Sequence, residues 1–459
     1  MKDQVSTVTQ GSMSDRPRSS GKSFQQVLDE DRYPVPEVLR LSSDEEFDEA
    51  QVPAEYYLSQ EQHSLEVEKI WRRTWQFACR EEQIPNVGDT EVYDIAGISI
   101  LIVRSDVDEI NAFYNVCLHR GRTLRDRGGS ATEFRCLFHG FCWKLDGELK
   151  SVPSKWDFPE LDPARFNLGK VQVGRWGGFV FINMDPQAVP FEEFIGNMPE
   201  HFAHAPLEDR YTEVHVSKII RCNWKVAQEA FLEALHTNAT HPQMAWWSGD
   251  EGSQYDAWGN YSRAITPQGL PSPHLKISPT EQEVFNAILD LGRDEEPPIL
   301  VGGGMGPRQL VATATRERMR SVLGDKVDSI CDSEMVDAFY FLLFPNFHPW
   351  GAYNRVVYRF RPCGNDPEQS IFEVYFLSPF TGERPPPAKV HELGPDDSFL
   401  DAPELGLFAR VFEQDASNLP RVQIGLHSLA AQGRSVQLAK YQELKLRHFY
   451  HLYTNALKD

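Results

Sequence analysis

Two closely spaced pairs of cysteine and histidine constrain this 459-residue chain more than any other feature of its sequence. Cys117 and His119 form the first pair, and Cys136 and His139 form the second after sixteen intervening residues. A glycine follows each pair closely, which is typical of a tight turn. One turn can present two side chains toward a shared point, so two such turns together can supply four metal ligands. We therefore expect both turns to converge in the folded chain.

Three interpretations of this pattern compete. Buried Cys and His without a metal would require two independent Cys–His pairs to arise by coincidence. A structural zinc site also takes two Cys and two His, but zinc sites usually keep the two Cys in one motif and the two His in another. In a Rieske [2Fe–2S] cluster, two His replace two Cys on one of the irons. The alternation of Cys and His within each pair favours the Rieske cluster.

A second group of candidate ligands lies within residues 223–243. Glu229, Glu233 and His236 occur at positions i, i+4 and i+7, which places them on one face of a predicted helix. Neighbouring residues are small or apolar, so this polar stripe is predicted to be buried, and buried carboxylates need partners such as a metal. His241 follows five residues after His236, so the helix must bulge or end before it.

These two histidines suit a particular kind of metal site. His236 and His241 could be two ligands of a 2-His-1-carboxylate triad, which leaves open positions on Fe(II) for O₂. A zinc hydrolase is the alternative, but its helical signature H-E-x-x-H is absent from the sequence. The pattern therefore favours a mononuclear iron site.

Charge and composition exclude several other classes of protein. Lys plus Arg number 46 and Asp plus Glu number 67, and a net charge of −21 disfavours binding to a nucleic-acid backbone. No apolar run approaches the ~18 residues of a membrane span, and the first residues lack the apolar core of a secretory signal. Seven cysteines are too few for a disulfide framework in a chain of this length. We expect a cytoplasmic protein without a nucleic-acid or membrane partner.

The pattern of secondary structure changes along the chain. Residues from about 89 to 184 form short β-rich runs separated by turn formers, which is typical of a small all-β domain. After about residue 190, strands alternate with long helical stretches, as in an α+β domain. Adjacent antiparallel strands are predicted over Phe339–Phe380, and helices over residues 60–74, 404–431 and 440–457.

Both metal motifs resemble one known family. CLHRG and CLFHGFCW are similar to the Rieske domain of bacterial ring-hydroxylating oxygenases, whose signature is C-x-H, a spacer and C-x-x-H. Asn223 can cap a helix that begins N-W-K and continues E-x-x-x-E-x-x-H-x₄-H. This segment resembles the catalytic helix of the same family, except that the family usually has Asp where this chain has Glu233. From about residue 55 to 457, the chain resembles the large (α) subunit of a Rieske non-haem iron aromatic ring-hydroxylating oxygenase.

The resemblance implies a fold and a division into four parts. The fold class is α+β, with a small all-β Rieske [2Fe–2S] domain and a helix-grip (START-like) catalytic domain in which an antiparallel sheet wraps a helix. Residues 1–50 are expected to be a disordered, acidic extension, and residues 51–85 a helical part that packs on the catalytic domain. Residues 86–195 are expected to form the Rieske domain, and residues 196–459 the catalytic domain with its mononuclear iron.

The resemblance also implies the ligand sets. One iron of the [2Fe–2S] cluster is expected on the two cysteines and the other on the two histidines, that is Cys117, Cys136, His119 and His139. The mononuclear Fe(II) is expected on His236, His241 and a downstream carboxylate. An acidic residue followed by Asn at +3 and Gln at +8 selects Asp415 for that carboxylate, with Glu413 as the runner-up. The resemblance also implies that Glu233 bridges the mononuclear iron to a Rieske histidine of the neighbouring subunit.

Electron donors, assembly and substrate are implied less fully. The segment VGGGMG lacks the third glycine of a nucleotide fingerprint, so electrons from NAD(P)H are expected through a separate reductase and a ferredoxin. The family implies a homotrimer, or an α₃β₃ assembly with a small β subunit. Candidates for a substrate pocket are Ala230, Ala234, Thr237 and Phe412, although Phe412 and Trp246 could equally belong to the core.

We expect the protein to act with O₂ on a small, neutral, aromatic or polycyclic substrate. The reaction could be monohydroxylation, dihydroxylation or oxidative dealkylation. Two interpretations from other classes remain. One is a Rieske electron-transfer protein without oxygenase activity. The other is a zinc-stabilised module that only binds a ligand.

Overall fold

The computed structural model of the chain describes residues 21–292 and 295–458. Its first part is a series of short elements: α1 (Phe24–Leu28), α2 (Glu37–Arg40), β1 (Gln51–Pro53), α3 (Glu55–Leu58) and α4 (Gln60–Glu66). A π-helical turn, Val67–Trp71, continues α4. The helix predicted over residues 60–74 is therefore an α-helical segment followed by a π-helical one. This part packs closely on the rest of the chain.

The prediction that residues 1–50 form a disordered extension is wrong for residues 24–40. Phe24 and Leu28 in α1 and Leu39 in α2 are buried, and the Phe24 ring lies 6.2 Å from that of Phe339. The segment is polar on average, but a few large apolar side chains inserted into an existing core are enough to order it. The part of the prediction that covers residues 1–20 lies outside the described residues.

The β-rich domain contains ten strands. They are β2 (Gln76–Arg80), β3 (Asp89–Ile95), β4 (Ile98–Arg104), β5 (Ile110–Tyr114), β6 (Gly129–Ser130), β7 (Phe134–Arg135), β8 (Cys142–Trp143), β9 (Leu149–Ser151), β10 (Lys170–Trp176) and β11 (Phe179–Asn183). Seven form one sheet in the order β2-β11-β10-β5-β4-β3-β6, and β7, β8 and β9 form a second sheet. The predicted boundary at residue 86 is therefore too late, because β2 is buried along its whole length within this sheet.

The second domain alternates helices and strands. In chain order its elements are α5 (Phe191–Ile195), β12 (Arg210–Ile220), α6 (Trp224–Glu229), α7 (Thr237–Thr240), β13 (Gln254–Trp258), β14 (Tyr261–Thr266), α8 (Glu281–Ile288), α9 (Pro307–Leu323), α10 (Asp332–Val336), β15 (Ala338–Leu343), β16 (Phe347–Pro349), β17 (Val356–Cys363), β18 (Asp366–Pro379), β19 (His391–Leu393), α11 (Phe408–Ala430), β20 (Ser435–Gln437) and α12 (Leu444–Lys458). Short 3₁₀ turns connect several of them.

Eight of these strands form one sheet around helix α11. The strand order is β13-β14-β15-β16-β17-β18-β12-β19, and all neighbours are antiparallel except β12 and β19. From α11, the Phe412 ring packs 5.8 Å from both Tyr358 in β17 and Phe372 in β18. The predicted α+β class, with a small β domain and an antiparallel sheet that wraps a helix, is confirmed.

Buried arginines join the two domains. Arg359 in β17 forms a bidentate ion pair with Glu373 at 2.6 Å and also donates to the backbone oxygen of Ala78 in β2. Arg80, in the same strand β2, donates to the backbone oxygen of Arg210 at 2.9 Å. These charge-assisted hydrogen bonds hold the β domain against the larger sheet.

Candidate metal centres and the cavity between the sheet and the helix

The two Cys/His turns have the same backbone geometry. The backbone N–H of Gly121 donates to the oxygen of Cys117, and that of Gly140 donates to the oxygen of Cys136, both at 2.9 Å. Gly121 and Gly140 have φ angles of +77° and +81°, which residues with a side chain rarely adopt. The glycines thus allow each turn to close and to present its Cys and His on the same side.

The four side chains predicted to hold a cluster lie together. Cys117 and Cys136 are both buried, and the rings of His119 and His139 are 4.7 Å apart between centroids. Nδ1 of His119 is buried and has no hydrogen-bond partner, so this nitrogen is free to bind a metal. The donor set therefore fits a Rieske cluster.

The backbone around Cys136 favours the thiolate that a metal needs. Burial alone would raise the pKa of the Cys136 thiol, but nearby groups outweigh burial and lower that pKa. They include the backbone N–H groups of Phe138 and His139 and the side chain of Cys117. Because the thiolate is the form that ligates iron, this turn is suited to hold it.

A second donor set converges in the larger domain. The candidate ligand atoms of His236, His241 and Asp415 all lie within 4.8 Å of one another. Nε2 of His241 is 3.0 Å from Oδ1 of Asp415, and Nε2 of His236 is 3.8 Å from the same oxygen. Two imidazole nitrogens and one carboxylate oxygen around one point form the donor set of a facial triad. The residues fit a mononuclear iron, and their assignment as its ligands stays a prediction.

Two glutamines that sequence reasoning missed orient His241. Nδ1 of His241 lies 2.9 Å from Oε1 of Gln414, and this oxygen also accepts from Nε2 of Gln243 at 2.8 Å. An amide oxygen only accepts, so it keeps the proton on Nδ1 and leaves Nε2 toward Asp415. The only indication in the sequence is that Gln414 directly precedes the predicted ligand Asp415, and a glutamine at such a position of a helix is common.

Glu233 performs the corresponding role for His236. Its Oε1 is 2.9 Å from Nδ1 of His236, and its Oε2 accepts from the backbone N–H of His236 at 2.9 Å. Burial lowers the pKa of His236, but the carboxylates of Glu233 and Asp415 outweigh burial and raise that pKa to about 9. Glu233 therefore orients the imidazole and surrounds it with negative charge.

The prediction that Glu229 shares a helical face with Glu233 and His236 is wrong. Helix α6 ends at Glu229, and residues 230–236 form turns before α7 begins. The break has a packing cause, because the Phe231 ring inserts 4.8 to 5.2 Å from those of Tyr358, Phe360 and Phe372. This tertiary packing overrides the helical propensity of the segment.

Glu229 lies in a separate buried cluster. Its carboxylate accepts hydrogen bonds from the hydroxyl of Tyr57 at 2.9 Å and from that of Tyr450. Burial raises the pKa of Glu229 to about 7, although both hydroxyls and Lys225 act in the opposite direction. Glu229 thus connects α6 to α3 and α12 and is not part of the triad.

Glu413, the alternative carboxylate, and Gln423, the amide at +8 in the motif, have other partners. Oε2 of Glu413 accepts from the hydroxyl of Ser398 and from the backbone of Phe399, at 2.7 and 2.8 Å, ahead of α11. Oε1 of Gln423 accepts from the backbone N–H of Asn223 at 2.9 Å, which ties α11 to the start of α6. The structure thus brings Asp415, and not Glu413, to the two histidines.

A cavity of about 330 Å³ lies beside the triad. All four predicted pocket residues line it, namely Ala230, Ala234, Thr237 and Phe412. Among the described residues, Trp247 lines the cavity and Trp246 does not. The other aromatic residues of the wall are Phe231, Tyr340, Trp350, Tyr358 and Phe408, and its uncharged polar residues include Gln243, Ser248, Thr266 and Gln268. The triad therefore opens onto a largely aromatic space.

Comparison with family models gives the class of the chain. Residues 74–162 match the model of the Rieske [2Fe-2S] domain, and residues 204–459, more than half of the chain, match that of the ring hydroxylating alpha subunit (catalytic domain). The chain therefore belongs to the family of ring-hydroxylating alpha subunits, with a Rieske [2Fe–2S] domain ahead of the catalytic domain. The predicted family is confirmed, and the Rieske match is evidence against the zinc-stabilised module.

Curated relatives carry several different activities. The chain is 31% identical over 199 residues to the carnitine monooxygenase oxygenase subunit of Escherichia coli (strain K12), covering 42% of this chain and 52% of the relative. It is 32% identical over 198 residues to the biphenyl 2,3-dioxygenase subunit alpha of Rhodococcus jostii (strain RHA1), covering 41% and 42%. The chain thus matches about half of the length of these relatives.

Solved structures of two such enzymes share the fold. A quaternary ammonium Rieske monooxygenase aligns with a TM-score of 0.63 and 18% identity, over 88% of this chain and 95% of that one. A naphthalene 1,2-dioxygenase variant bound to phenanthrene aligns with a TM-score of 0.63 and 18% identity, over 90% and 93%. Within residues 21–292 and 295–458, no helix combines the length and apolar character needed to cross a membrane.

Proposed function

We propose that this chain is the terminal oxygenase component, the α subunit, of a Rieske non-haem iron oxygenase that uses O₂ to hydroxylate a hydrophobic aromatic or polycyclic substrate. The observation that carries the proposal is the triad of His236, His241 and Asp415, which opens onto an aromatic-lined cavity in a chain with a Rieske domain. An electron carrier would need neither the triad nor the cavity.

Two groups of residues hold the two cofactors in this proposal. Cys117, His119, Cys136 and His139 hold the [2Fe–2S] cluster, and His236, His241 and Asp415 hold the mononuclear Fe(II). When bound, the cluster supplies single electrons and the mononuclear iron supplies activation of O₂. NAD(P)H contributes only indirectly, through a separate reductase and a ferredoxin.

The surrounding residues position the ligands. Gln414 sets the tautomer of His241, and Glu233 sets that of His236, through the 2.9 Å contacts to each Nδ1. Glu233 also has the place of the family's bridging carboxylate, so it is the residue proposed to link His236 to a Rieske histidine of a neighbouring subunit. Its two contacts to His236 are compatible with that role, since each carboxylate oxygen has a second lone pair.

Exposed residues beside the Rieske turns support an assembly of subunits. His139 is exposed in the single chain, and Leu137 and Phe138 next to it are 76% and 55% exposed. Trp156 is 82% exposed and lies two residues before Phe158, whose ring is 5.7 Å from that of His119. Apolar side chains of this size are usually covered by a partner when they cluster. We therefore propose a homotrimer, or an α₃β₃ assembly, in which a neighbouring catalytic domain covers this surface.

The aromatic wall supports the proposed substrate class. Phe231, Trp350, Tyr358, Phe408 and Phe412 offer flat apolar surfaces to a ring system. Relatives that act on carnitine show that the family also accepts quaternary ammonium compounds, so the substrate requires a direct test.

A single turnover with labelled oxygen tests the proposal. The protein is reduced in the absence of a reductase or a ferredoxin and is mixed with ¹⁸O₂ and either naphthalene or L-carnitine. The products are then analysed by mass spectrometry. The proposal predicts ¹⁸O in a naphthalene product, and none for a His236→Ala variant that keeps its cluster. Labelled carnitine product alone would contradict the substrate class. Cluster reoxidation without any labelled product would favour the electron-transfer alternative.

A further inference from the structure

A second, smaller cavity lies against the other face of strand β15. Its volume is about 160 Å³, and we call it the rear cavity. Ala338 and Tyr340 line the cavity beside the triad. Phe339 and Phe341, which alternate with them along β15, line the rear cavity, because successive side chains of a strand point to opposite faces of the sheet. The rear cavity is enclosed by parts of four segments, residues 36–39, 200–204, 334–341 and 351–352.

One side of the rear cavity is aromatic and uncharged. The rings of Phe341 and His201 lie 5.3 Å apart between centroids. Gly351 leaves space beside the Phe341 ring, since a Cβ at this position would lie 2.8 Å from its Cε2. Nδ1 of His201 lies 3.4 Å from Nη1 of Arg263, and its Nε2 lies 3.2 Å from the hydroxyl of Tyr261. Burial and the Arg263 charge lower the pKa of His201 to about 3, so its ring is neutral.

The same cavity is lined by a buried carboxylate that is only partly paired. Glu334 is 5% exposed, and its Oε2 accepts from the backbone N–H of Cys331 at 3.3 Å. Its Oε1 lies 3.6 Å from Nδ1 of His204, which is beyond hydrogen-bond distance. No hydrogen bond from the described residues reaches Oε1, yet this oxygen is not fully enclosed. A molecule in the rear cavity can therefore reach Oε1 of Glu334.

The charges around the rear cavity favour a cation. Burial raises the pKa of Glu334 and Asp31 acts in the same direction, whereas His204 opposes them. A buried carboxylate without a full partner is costly, and a bound cation would remove that cost. Glu37 and Glu200 add negative charge where the cavity meets solvent. The side chain of His204 is 60% exposed, so it does not fill the space beside Glu334.

We propose that the rear cavity binds a small organic cation, a primary alkylammonium ion, whose N–H groups donate to Glu334 and whose alkyl part lies on Phe339 and Phe341. A carboxylate forms strong charge-assisted hydrogen bonds with such a group, and aromatic rings attract a cation. A calcium ion would need six or more oxygen ligands, whereas Glu334 is the one buried carboxylate in the described wall. The site goes beyond the proposed oxygenase function and is independent of it, because the triad lies on the other side of β15.

Three probes of the same branched shape test the site by binding alone. Isobutylammonium is positive, isobutanol is neutral and isobutyrate is negative. Dissociation constants are measured by calorimetry at constant ionic strength on the full-length protein and on Glu334→Gln and Glu193→Gln. Glu334→Gln removes the charge but keeps an oxygen for the N–H of Cys331. Glu193 is exposed and does not line the rear cavity, so its variant is the matched control.

The site predicts a distinct pattern for these probes. Isobutylammonium should bind about tenfold more tightly than isobutanol, and isobutyrate should not bind. Glu334→Gln should weaken isobutylammonium binding about tenfold and change isobutanol binding less than about twofold, whereas Glu193→Gln should change neither. If Glu334→Gln does not fold, Ala203→Leu replaces it, because a larger side chain at this exposed lining position fills the cavity and leaves the carboxylate in place.

Unchanged isobutylammonium binding by the folded variant would overturn the site, and so would a wild-type protein that binds none of the probes. Equal weakening by Glu334→Gln and Glu193→Gln would show a general attraction of cations to a chain with a net charge of −21, and it would overturn the site as well. The expected pattern without any ¹⁸O-labelled product in the single-turnover experiment would retain the site and contradict the oxygenase function. The two proposals therefore fail separately.

Discussion

His241 Nε2 and Asp415 Oδ1 lie 3.0 Å apart, although one residue follows α7 and the other lies within α11. The contact depends on two sets of anchors. Asn223, at the start of α6, is tied to Gln423 of α11, and Gln414 of α11 is tied to His241 itself. The arrangement of these proposed iron ligands is thus a consequence of how these helices are held together.

Removal of the carboxylate should abolish one metal site and spare the other. Asp415→Ala should lose the mononuclear iron, because two histidines alone leave the site one ligand short. Glu413→Ala is the matched control, since Glu413 lies on the same helix and caps the preceding turn. The ratio of iron to acid-labile sulfide reports the result. An equal loss of iron in both variants would contradict the assignment of Asp415.

Loss of the glutamine behind His241 should weaken iron binding without removing a ligand. In Gln414→Leu, Nδ1 of His241 loses the oxygen that sets its tautomer. Partners of this kind typically change metal affinity by about 10- to 100-fold. Titration of the apoprotein with Fe(II) measures the effect, and Ser417→Ala on the exposed side of the helix serves as the control. An unchanged affinity would show that Gln414 does not orient the ligand.

Glu233 should be needed for turnover but not for either metal. A Glu233→Ala variant keeps all seven predicted ligands, so with excess Fe(II) it should bind both iron groups. Without the carboxylate at His236, the proposed link to the neighbouring Rieske domain is lost, and product formation should stop. Single-turnover product and cluster reoxidation are measured together. A normal yield of product from this variant would contradict the bridging role of Glu233.

The cluster around Glu229 should make stability depend on pH. Burial raises the pKa of Glu229 from 4.5 to about 7, so the folded state favours the protonated carboxyl. The associated stability is present below pH 4.5 and is lost as the pH rises through 7. Relative to Glu229→Gln, the wild type should lose about 3 kcal/mol across this window. Urea unfolding of both proteins at pH 5 and pH 8 measures the difference. If the free energy of unfolding changed by the same amount with pH in the two proteins, the prediction would be contradicted.

The sequence predicted the family and the architecture because both depend on short local patterns. Each Cys/His pair lies within one turn, and the glycine that follows has the positive φ that closes it. The strands over residues 338–379 are largely apolar and separated by turns, and they occur where predicted.

The remaining features depend on contacts between distant segments. The break after Glu229 arises from the insertion of Phe231 among rings of the sheet, and periodicity could not reveal it. Gln414 and Gln243 are ordinary polar residues in the sequence until their hydrogen bonds beside His241 are known. Helices α1 and α2 are ordered by the core that they cover, and the local composition gives no sign of that core.

The most direct test of the account is the metal and sulfide content of the protein purified without added metal. The two proposed sites predict about three irons and two acid-labile sulfides per chain, with a brown chromophore that can be reduced. Two irons with two sulfides, unchanged after incubation with Fe(II), would contradict the mononuclear site. One zinc without sulfide would contradict the whole account.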